Sequence, residues 1–230
     1  MKLKLLLIFM LCILKSNAQK SSLGNWFMYT GNNHISKKWL WHNEIQYRNF
    51  NFAGDLEQFL LRTGIGYNLT EKNNNLLFGL GYFNSEPYIQ GTSQKSKTIE
   101  YRLFQQFITR QNFGRVFLTH RYRFEQRFIN DQLSLEKNIF RSRARYQFAI
   151  QVPLNKSKLE KKTIYFSSSN EIFIHTRGNF YDRNRLYAAL GYCFNHFLRL
   201  ELGMMAQSLQ SKTRSQFQIA IINNGAFFQN

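Results

Sequence analysis

The sequence predicts an all-β protein: an antiparallel, up-and-down transmembrane β-barrel of about ten strands that follows a cleaved signal peptide. Three observations predict this fold. The chain starts like a secretory signal, its later segments alternate apolar and polar residues, and no later apolar run reaches the roughly 18 residues of a membrane-spanning helix. Only helices and closed barrels satisfy their backbone hydrogen bonds in lipid, so strands would do any spanning.

The N-terminal segment is the first element of this prediction. Residues 1–19 carry two lysines at their start, then an apolar run, then Ser-Asn-Ala. This is the pattern of a secretory signal peptide, and we expect cleavage near Ala18 or Gln19. Residues 20–230 then form a single outer-membrane barrel domain. Cys193 is its only cysteine, so no disulfide can form within it.

The chain is strongly basic, with a formal net charge of +18. Such a balance often indicates nucleic-acid binding, but export and the spread of the arginines along strand-like segments argue against a nucleic-acid partner. We instead expect outer-membrane lipids, including anionic lipopolysaccharide, as partners.

The strands follow from a period of two, which is clearest in the segment 116–128. There Val116, Leu118, Tyr122 and Phe124 alternate with polar residues, so one face is apolar and the other is charged. The same pattern predicts strands at 38–50, 57–69, 76–85, 98–110, 115–129, 139–152, 163–175, 184–194, 198–210 and 214–224.

The connections between these strands alternate between short turns and longer loops. Outer-membrane barrels keep short turns in the periplasm and longer loops outside, which would put both chain ends on the periplasmic side. The connection 153–162 is the exception, since it is long and basic on the short-turn side. The strand-like segment 23–29 is left over. It either plugs the lumen, covers a rim or belongs to a barrel of twelve strands, and the role of 20–37 stays open.

A soluble sandwich or a lipocalin-like barrel shows the same alternation, so only the polarity of the inner and outer faces distinguishes these soluble folds from a transmembrane barrel. One strand carries Arg141, Arg143 and Arg145 on one face and apolar residues such as Tyr146 and Phe148 on the other. A soluble barrel would have to bury the arginines or expose the apolar face. Lipid around the barrel removes this conflict and favours the transmembrane fold.

With the polar face turned inward, arginines and glutamates fill the lumen, beside strands that carry small inward residues. Two interpretations follow. The favoured one is a charged, hydrogen-bonded core with a structural or binding role, and the other is a narrow channel that favours anions. The predicted lumen network consists of Glu44, Arg48, Arg62, Arg121, Arg123, Glu125, Arg127, Arg141, Arg143, Arg145, Glu171 and Glu201.

Catalytic and metal-binding residues are sparse. A lipid hydrolase at the rim would need a serine and a histidine, and the candidates are His34 with Ser36, and Ser167 or Ser169 with His175. No acid is placed to orient His34. The histidines have no close ligand spacing, so we expect no catalytic residue, no metal and no cofactor.

Several motifs resemble the domain-of-unknown-function 2490 family, whose members are short secreted proteins of Gram-negative bacteria, chiefly Bacteroidetes. The resemblance covers nearly all of the mature chain. It implies an outer-membrane barrel and transfers no activity and no catalytic residue. The motifs are Gly24-Asn25-Trp26, Gln46-Tyr47-Arg48, Asp55-Leu56-Glu57-Gln58 with Leu61-Arg62 and Gly64, His120-Arg121-Tyr122-Arg123 with Glu125 and Arg127-Phe128, and Asp182-Arg183-Asn184-Arg185-Leu186-Tyr187.

Overall fold

The computed structural model describes residues 23–70, 73–134 and 138–226, and the expected signal peptide at 1–19 lies outside them. The described chain is all-β, as the period of two predicts. Within these ranges no helix is long and apolar enough to cross a membrane.

The described strands form one closed barrel in which each strand pairs with its neighbours in the chain. The ten expected strands correspond to the second through the eleventh, each within a few residues of its expected bounds, so the barrel fold is confirmed. The strands are β1 (Gly24–His34), β2 (Trp39–Asn49), β3 (Leu56–Asn68), β4 (Asn74–Ser85), β5 (Thr98–Phe113), β6 (Val116–Asp131), β7 (Ile139–Pro153), β8 (Ile164–His175), β9 (Tyr181–Cys193), β10 (Leu198–Ser208) and β11 (Thr213–Asn223).

The strand count is eleven instead of ten because the leftover segment 23–29 enters the wall as part of β1. Residues 24–31 pair in parallel with 216–223 of β11, and β1 also pairs antiparallel with β2. An odd number of strands requires one parallel pair where the barrel closes, since every other pair is antiparallel. The two described ends of the chain therefore lie at opposite rims, and not on one side as the even count implied.

The two rims of the barrel differ in their connections. We call rim A the end that joins β1 to β2, β3 to β4, β5 to β6, β7 to β8 and β9 to β10, and rim B the opposite end. The longest connection, 86–97, lies at rim B, and the basic connection 154–163 lies at rim A beside short turns such as 114–115. The connection 209–212 at rim B is also short, so the contrast in loop length is weaker than expected.

Burial alternates along the strands and places apolar side chains on the outside. On β2, Ile45 and Tyr47 are exposed, whereas Glu44 and Gln46, which alternate with them, are buried. This is the reverse of a soluble barrel, in which the apolar face lines the interior. The interior of this protein is consequently a polar lumen.

The small inward residues make room for aromatic rings inside that lumen. A Cβ atom on Gly79 would lie 2.5 Å from Cζ of Phe104, and Gly191 packs against the ring of Tyr165. The sequence suggested that these gaps admit arginine side chains. The rings fill the gaps, and arginines then lie over the rings, with Cζ of Arg123 4.6 Å from the Phe104 ring centre.

Candidate functional site

The centre of the lumen is organised around Glu125 on β6, which is 0% exposed. Its two carboxylate oxygens lie 2.6 Å from Nη2 of Arg143 and 2.5 Å from Nη1 of Arg145 on the adjacent strand β7. Arg102 and Arg123 approach the same carboxylate at 3.5 and 3.8 Å. A carboxylate this deeply buried is stable only when cations and hydrogen bonds replace its water, and four guanidinium groups do so here.

Other glutamates extend this network to the neighbouring strands. Glu171 on β8 lies 2.8 Å from both Arg145 and Arg121, so Arg145 bridges two carboxylates. Toward rim B, Glu100 binds Arg127 at 2.6 Å and also accepts hydrogen bonds from Arg102. The ion pairs thus run across β5, β6, β7 and β8 and fill that side of the barrel.

Aromatic rings stack against the guanidinium groups of this network. Phe173 on β8 is 1% exposed, and its ring centre lies 4.9 Å from Cζ of Arg143, 4.4 Å from that of Arg145 and 4.7 Å from that of Arg185. Guanidinium groups stack favourably on aromatic faces, and the rings restrict their positions.

A second group of side chains lies around Trp26 on β1 and has a different composition. Cζ of Arg48 is 3.7 Å from the indole ring centre, and Cζ of Arg185 is 5.2 Å from it. Arg48 donates to the amide oxygen of Gln46, and Arg185 donates to that of Gln207. Neither arginine has a carboxylate within 4.0 Å in the described chain, so this wall carries unpaired positive charge.

Glu201 on β10 shows the opposite situation, a buried carboxylate with neutral partners. It accepts hydrogen bonds from the hydroxyl groups of Tyr165 and Tyr187, both at 3.0 Å, and from the amide of Gln151 at 3.2 Å. No cation lies within 4.0 Å of it among the residues that the structure describes. Hydroxyl and amide donors satisfy it without neutralising its charge.

The lumen holds a cavity of about 530 Å³ between these groups. Its lining extends from Trp26 and Arg48 to residues at rim A, including His34, Arg110 and Arg199. The ion pairs of Glu100 and Arg127 lie outside the lining, on the rim B side. The lining of the cavity thus reaches rim A, whereas the ion-paired network occupies the barrel on the rim B side.

The structure joins nine of the twelve predicted lumen residues in ion pairs and leaves three without one. Arg48 stacks on Trp26, Glu201 binds the tyrosines, and Arg141 is exposed near rim B with no carboxylate within 4.0 Å in the described ranges. The nine residues in ion pairs are Glu44, Arg62, Arg121, Arg123, Glu125, Arg127, Arg143, Arg145 and Glu171.

The predicted network omitted several residues of the lumen site, among them Trp26, Arg102, Asp182 and Arg185. Arg102 shares the face of Glu100 on β5, so the period of two already indicated it. Asp182 accepts hydrogen bonds from Arg143 and from the adjacent Arg183. Trp26 had no such signal, because it lies in the strand that the alternation left over.

The serine and histidine candidates for hydrolysis form no hydrogen-bonded pair in the described chain. Oγ of Ser36 accepts hydrogen bonds from the backbone N–H groups of Lys38 and Trp39, which stabilises the turn. His175 lies at the rim B end of β8, 3.9 Å from Asp182, whereas Ser169 lies in the rim A half. Among the described residues, no group of three or more side chains is arranged to hold a metal ion.

A small polar cluster at rim B ties two loops together. Asp55 lies 2.6 Å from Nζ of Lys95 and accepts a hydrogen bond of 2.8 Å from the hydroxyl group of Tyr88. Partial burial alone would raise the pKa of Asp55, but these hydrogen bonds and the charge of Lys95 hold that pKa below its ordinary value of 3.8.

Fold and site together define a class: a closed β-barrel with an apolar outer wall and an arginine-rich, ion-paired lumen. Residues 23–218 match the family model described as a protein of unknown function (DUF2490), and the chain belongs to this family. No match was found among curated proteins or solved structures. The resemblance seen in the sequence motifs is thus confirmed.

Proposed function

We propose that this protein is an outer-membrane barrel whose lumen is closed toward rim B, and that it serves as a membrane-anchored binding or structural protein and not as a through-channel. One observation carries the proposal: the barrel is apolar outside and ion-paired inside. Outward residues in mid-strand, such as Leu80 at 52% exposure and Phe78 at 54%, would face water in a soluble protein. In a membrane they face lipid.

Aromatic pairs near both ends of the outer wall support this placement. Trp39 and Tyr67 near rim A have ring centres 4.9 Å apart, and Phe128 and Phe140 near rim B have ring centres 5.2 Å apart. Transmembrane barrels carry aromatic girdles at the two membrane interfaces, because these rings favour the headgroup region.

Anionic lipid headgroups suit the charge of rim A. The connection 154–163 carries four lysines, at 156, 158, 161 and 162, and a single acid, Glu160. Each lysine near an anionic surface adds favourable electrostatic energy. The proposed partners are accordingly membrane lipids with negative headgroups: anionic phospholipids at rim A, which carries the short turns expected in the periplasm, and lipopolysaccharide around rim B on the outer side.

Membrane placement is tested by the substitution Leu80→Arg in the middle of β4. In lipid, arginine at this depth should destabilise the inserted barrel by about 2–4 kcal/mol. Leu133→Arg in the connection between β6 and β7 is the matched control, since Leu133 is at least as exposed as Leu80 but lies beyond the strands. Urea unfolding in vesicles measures both. Equal, negligible changes would contradict the membrane placement, because an exposed surface substitution in water changes stability by only about 0.5 kcal/mol.

The closed lumen is tested by single-channel recording of the refolded protein in a planar bilayer at neutral pH and high salt. We expect no conductance steps from protein shown to be folded and inserted. Steady steps whose anion preference changes in Arg123→Glu would contradict the closed lumen and favour the anion channel instead.

A further inference from the structure

The cavity in the lumen has an unbalanced charge. Eight arginines line it but only three glutamates, and no aspartate or lysine is among the lining residues of the described chain. Glu125 lies outside the lining but pairs with Arg123 and Arg145, so an excess of four positive charges remains, which is costly in a partly enclosed space unless anions balance it. The arginines are Arg48, Arg62, Arg110, Arg121, Arg123, Arg145, Arg185 and Arg199, and the glutamates are Glu44, Glu171 and Glu201.

The glutamates do not reach half of these arginines. Glu44 is bound by Arg62 at 2.7 Å, Glu171 is shared by Arg121 and Arg145, and Glu201 is held by tyrosines. The arginines without a carboxylate within 4.0 Å among the described residues are Arg48, Arg110, Arg185 and Arg199.

These four arginines form two pairs at different depths. Arg48 and Arg185 lie at the inner end of the cavity, with Cζ 3.7 and 5.2 Å from the ring centre of Trp26. Arg110 and Arg199 lie at rim A on β5 and β10, on opposite walls of the barrel, and their positive charges repel each other. The inner pair places two guanidinium groups beside one indole ring, so it suits a ligand with two adjacent negative groups.

Unused hydrogen-bond donors point to the same kind of ligand. Six side chains of the lining have a buried nitrogen without a hydrogen-bond partner: Trp26 at Nε1, His42 at Nε2, Arg48, Arg62 and Arg121 at Nε, and Arg123 at Nη1. Buried donors normally have acceptors, so a group with several acceptor oxygens would complete the site with small side-chain shifts.

We propose that the cavity binds a small ligand with two or more phosphate or sulfate groups, which enters from rim A. Guanidinium groups recognise these oxyanions through paired N–H donors. A volume of about 530 Å³ is in the range of small-molecule sites. The inference rests on the proposed function in one respect, since a lumen closed toward rim B lets the ligand stay bound.

Inorganic pyrophosphate is the first probe, and Trp26 reports its binding. The chain has three tryptophans, so Trp39→Phe with Trp41→Phe leaves Trp26 as the only one. Fluorescence is titrated in phosphate-free maltoside micelles at constant ionic strength. We expect a saturable change, and the melting temperature should rise with ligand concentration. A linear change, or no change in either signal, would overturn the proposal.

Charge-matched variants locate the site. Arg48→Gln with Arg185→Gln should raise the half-saturation concentration at least tenfold. Arg141→Gln with Arg177→Gln removes the same charge near rim B, outside the cavity lining. This control should change the half-saturation concentration by less than twofold. Equal weakening in both would mean diffuse electrostatic attraction and would overturn the site.

A single substitution keeps the test valid if the inner double variant fails to fold. Arg185→Gln removes one unpaired guanidinium group and leaves Arg48 over the Trp26 ring, and it should weaken pyrophosphate binding by about threefold or more. Unchanged affinity in this folded variant would overturn the inner site.

Two further experiments identify the source of the oxyanion and show whether the ligand site and the closed lumen fail independently. Phosphatidylglycerol added to the micelles should leave the pyrophosphate affinity unchanged if the ligand is soluble, whereas competition would mean a lipid headgroup in the same oxyanion site. A barrel that conducts yet binds pyrophosphate would overturn the closed lumen alone. A silent barrel that does not bind would overturn the ligand site alone.

Discussion

Glu125→Gln tests the central ion network most directly, because it removes one charge and almost no volume. Four arginines contact this carboxylate, and three of them keep another acid after the change. Arg123 does not, since Glu125 is the only carboxylate within 4.0 Å of it in the described structure. One buried guanidinium is then left without an ion pair, so we expect a loss of about 3–5 kcal/mol in the free energy of unfolding. The arginines that keep an acid are Arg102 with Glu100, Arg143 with Asp182, and Arg145 with Glu171.

Urea unfolding in lipid vesicles measures this loss, and the heat-modifiable mobility of the folded barrel on a gel provides a second readout. The matched control is Glu160→Gln, which removes the same charge from a solvated pair with Lys156 at rim A and should leave stability unchanged. If Glu125→Gln behaves like Glu160→Gln, water enters the network freely and the lumen is not a buried charged core.

Two further predictions concern the same network and the rim B loops. Arg143→Ala removes a partner of both Glu125 and Asp182, and should lower the gel transition temperature and cost about 3–5 kcal/mol; an unchanged transition would refute the network. Because the pKa of folded Asp55 lies below its unfolded value near 3.8, its pairing with Lys95 stabilises the loops above that pH and is lost as the pH falls through the folded pKa. Pepsin cleavage of the connection 86–97, relative to cleavage of an unfolded substrate at the same pH, should therefore increase below pH 3.8, and Lys95→Met should remove this increase; persistence of the increase would contradict the assignment.

Most of the barrel could be predicted from sequence because ten strands carry a clear period of two, with apolar residues on one face. β1 could not be predicted in this way. Gly31 and Asn33 lie on its nominally outer face, so it lacks a continuous apolar stripe. Its place in the wall depends on pairing with β2 and β11, which are contacts between distant parts of the chain and leave no local pattern.

The sequence could predict which side chains of the candidate site face inward, but it could not predict which of them contact one another. Alternation placed Arg145 and Glu171 inside, and the register between β7 and β8 brings them together. The stacking of Arg48 and Arg185 on Trp26 joins β2 and β9, which are not neighbours in the sheet. Such contacts depend on barrel diameter, strand tilt and side-chain length together, and no short stretch of sequence encodes these.

The parallel seam between β1 and β11 has a consequence for assembly. Closure joins the first described strand to the last, so the sheet keeps two open edges until the whole chain has been synthesised, and open edges invite pairing with other chains. β2 and β11 run in opposite directions, so if β1 detaches, the remaining ten strands can still close with an ordinary antiparallel pair. β10 and β1 also run in opposite directions, so either strand of the seam, β1 or β11, can leave while the other ten described strands keep a closed, all-antiparallel topology.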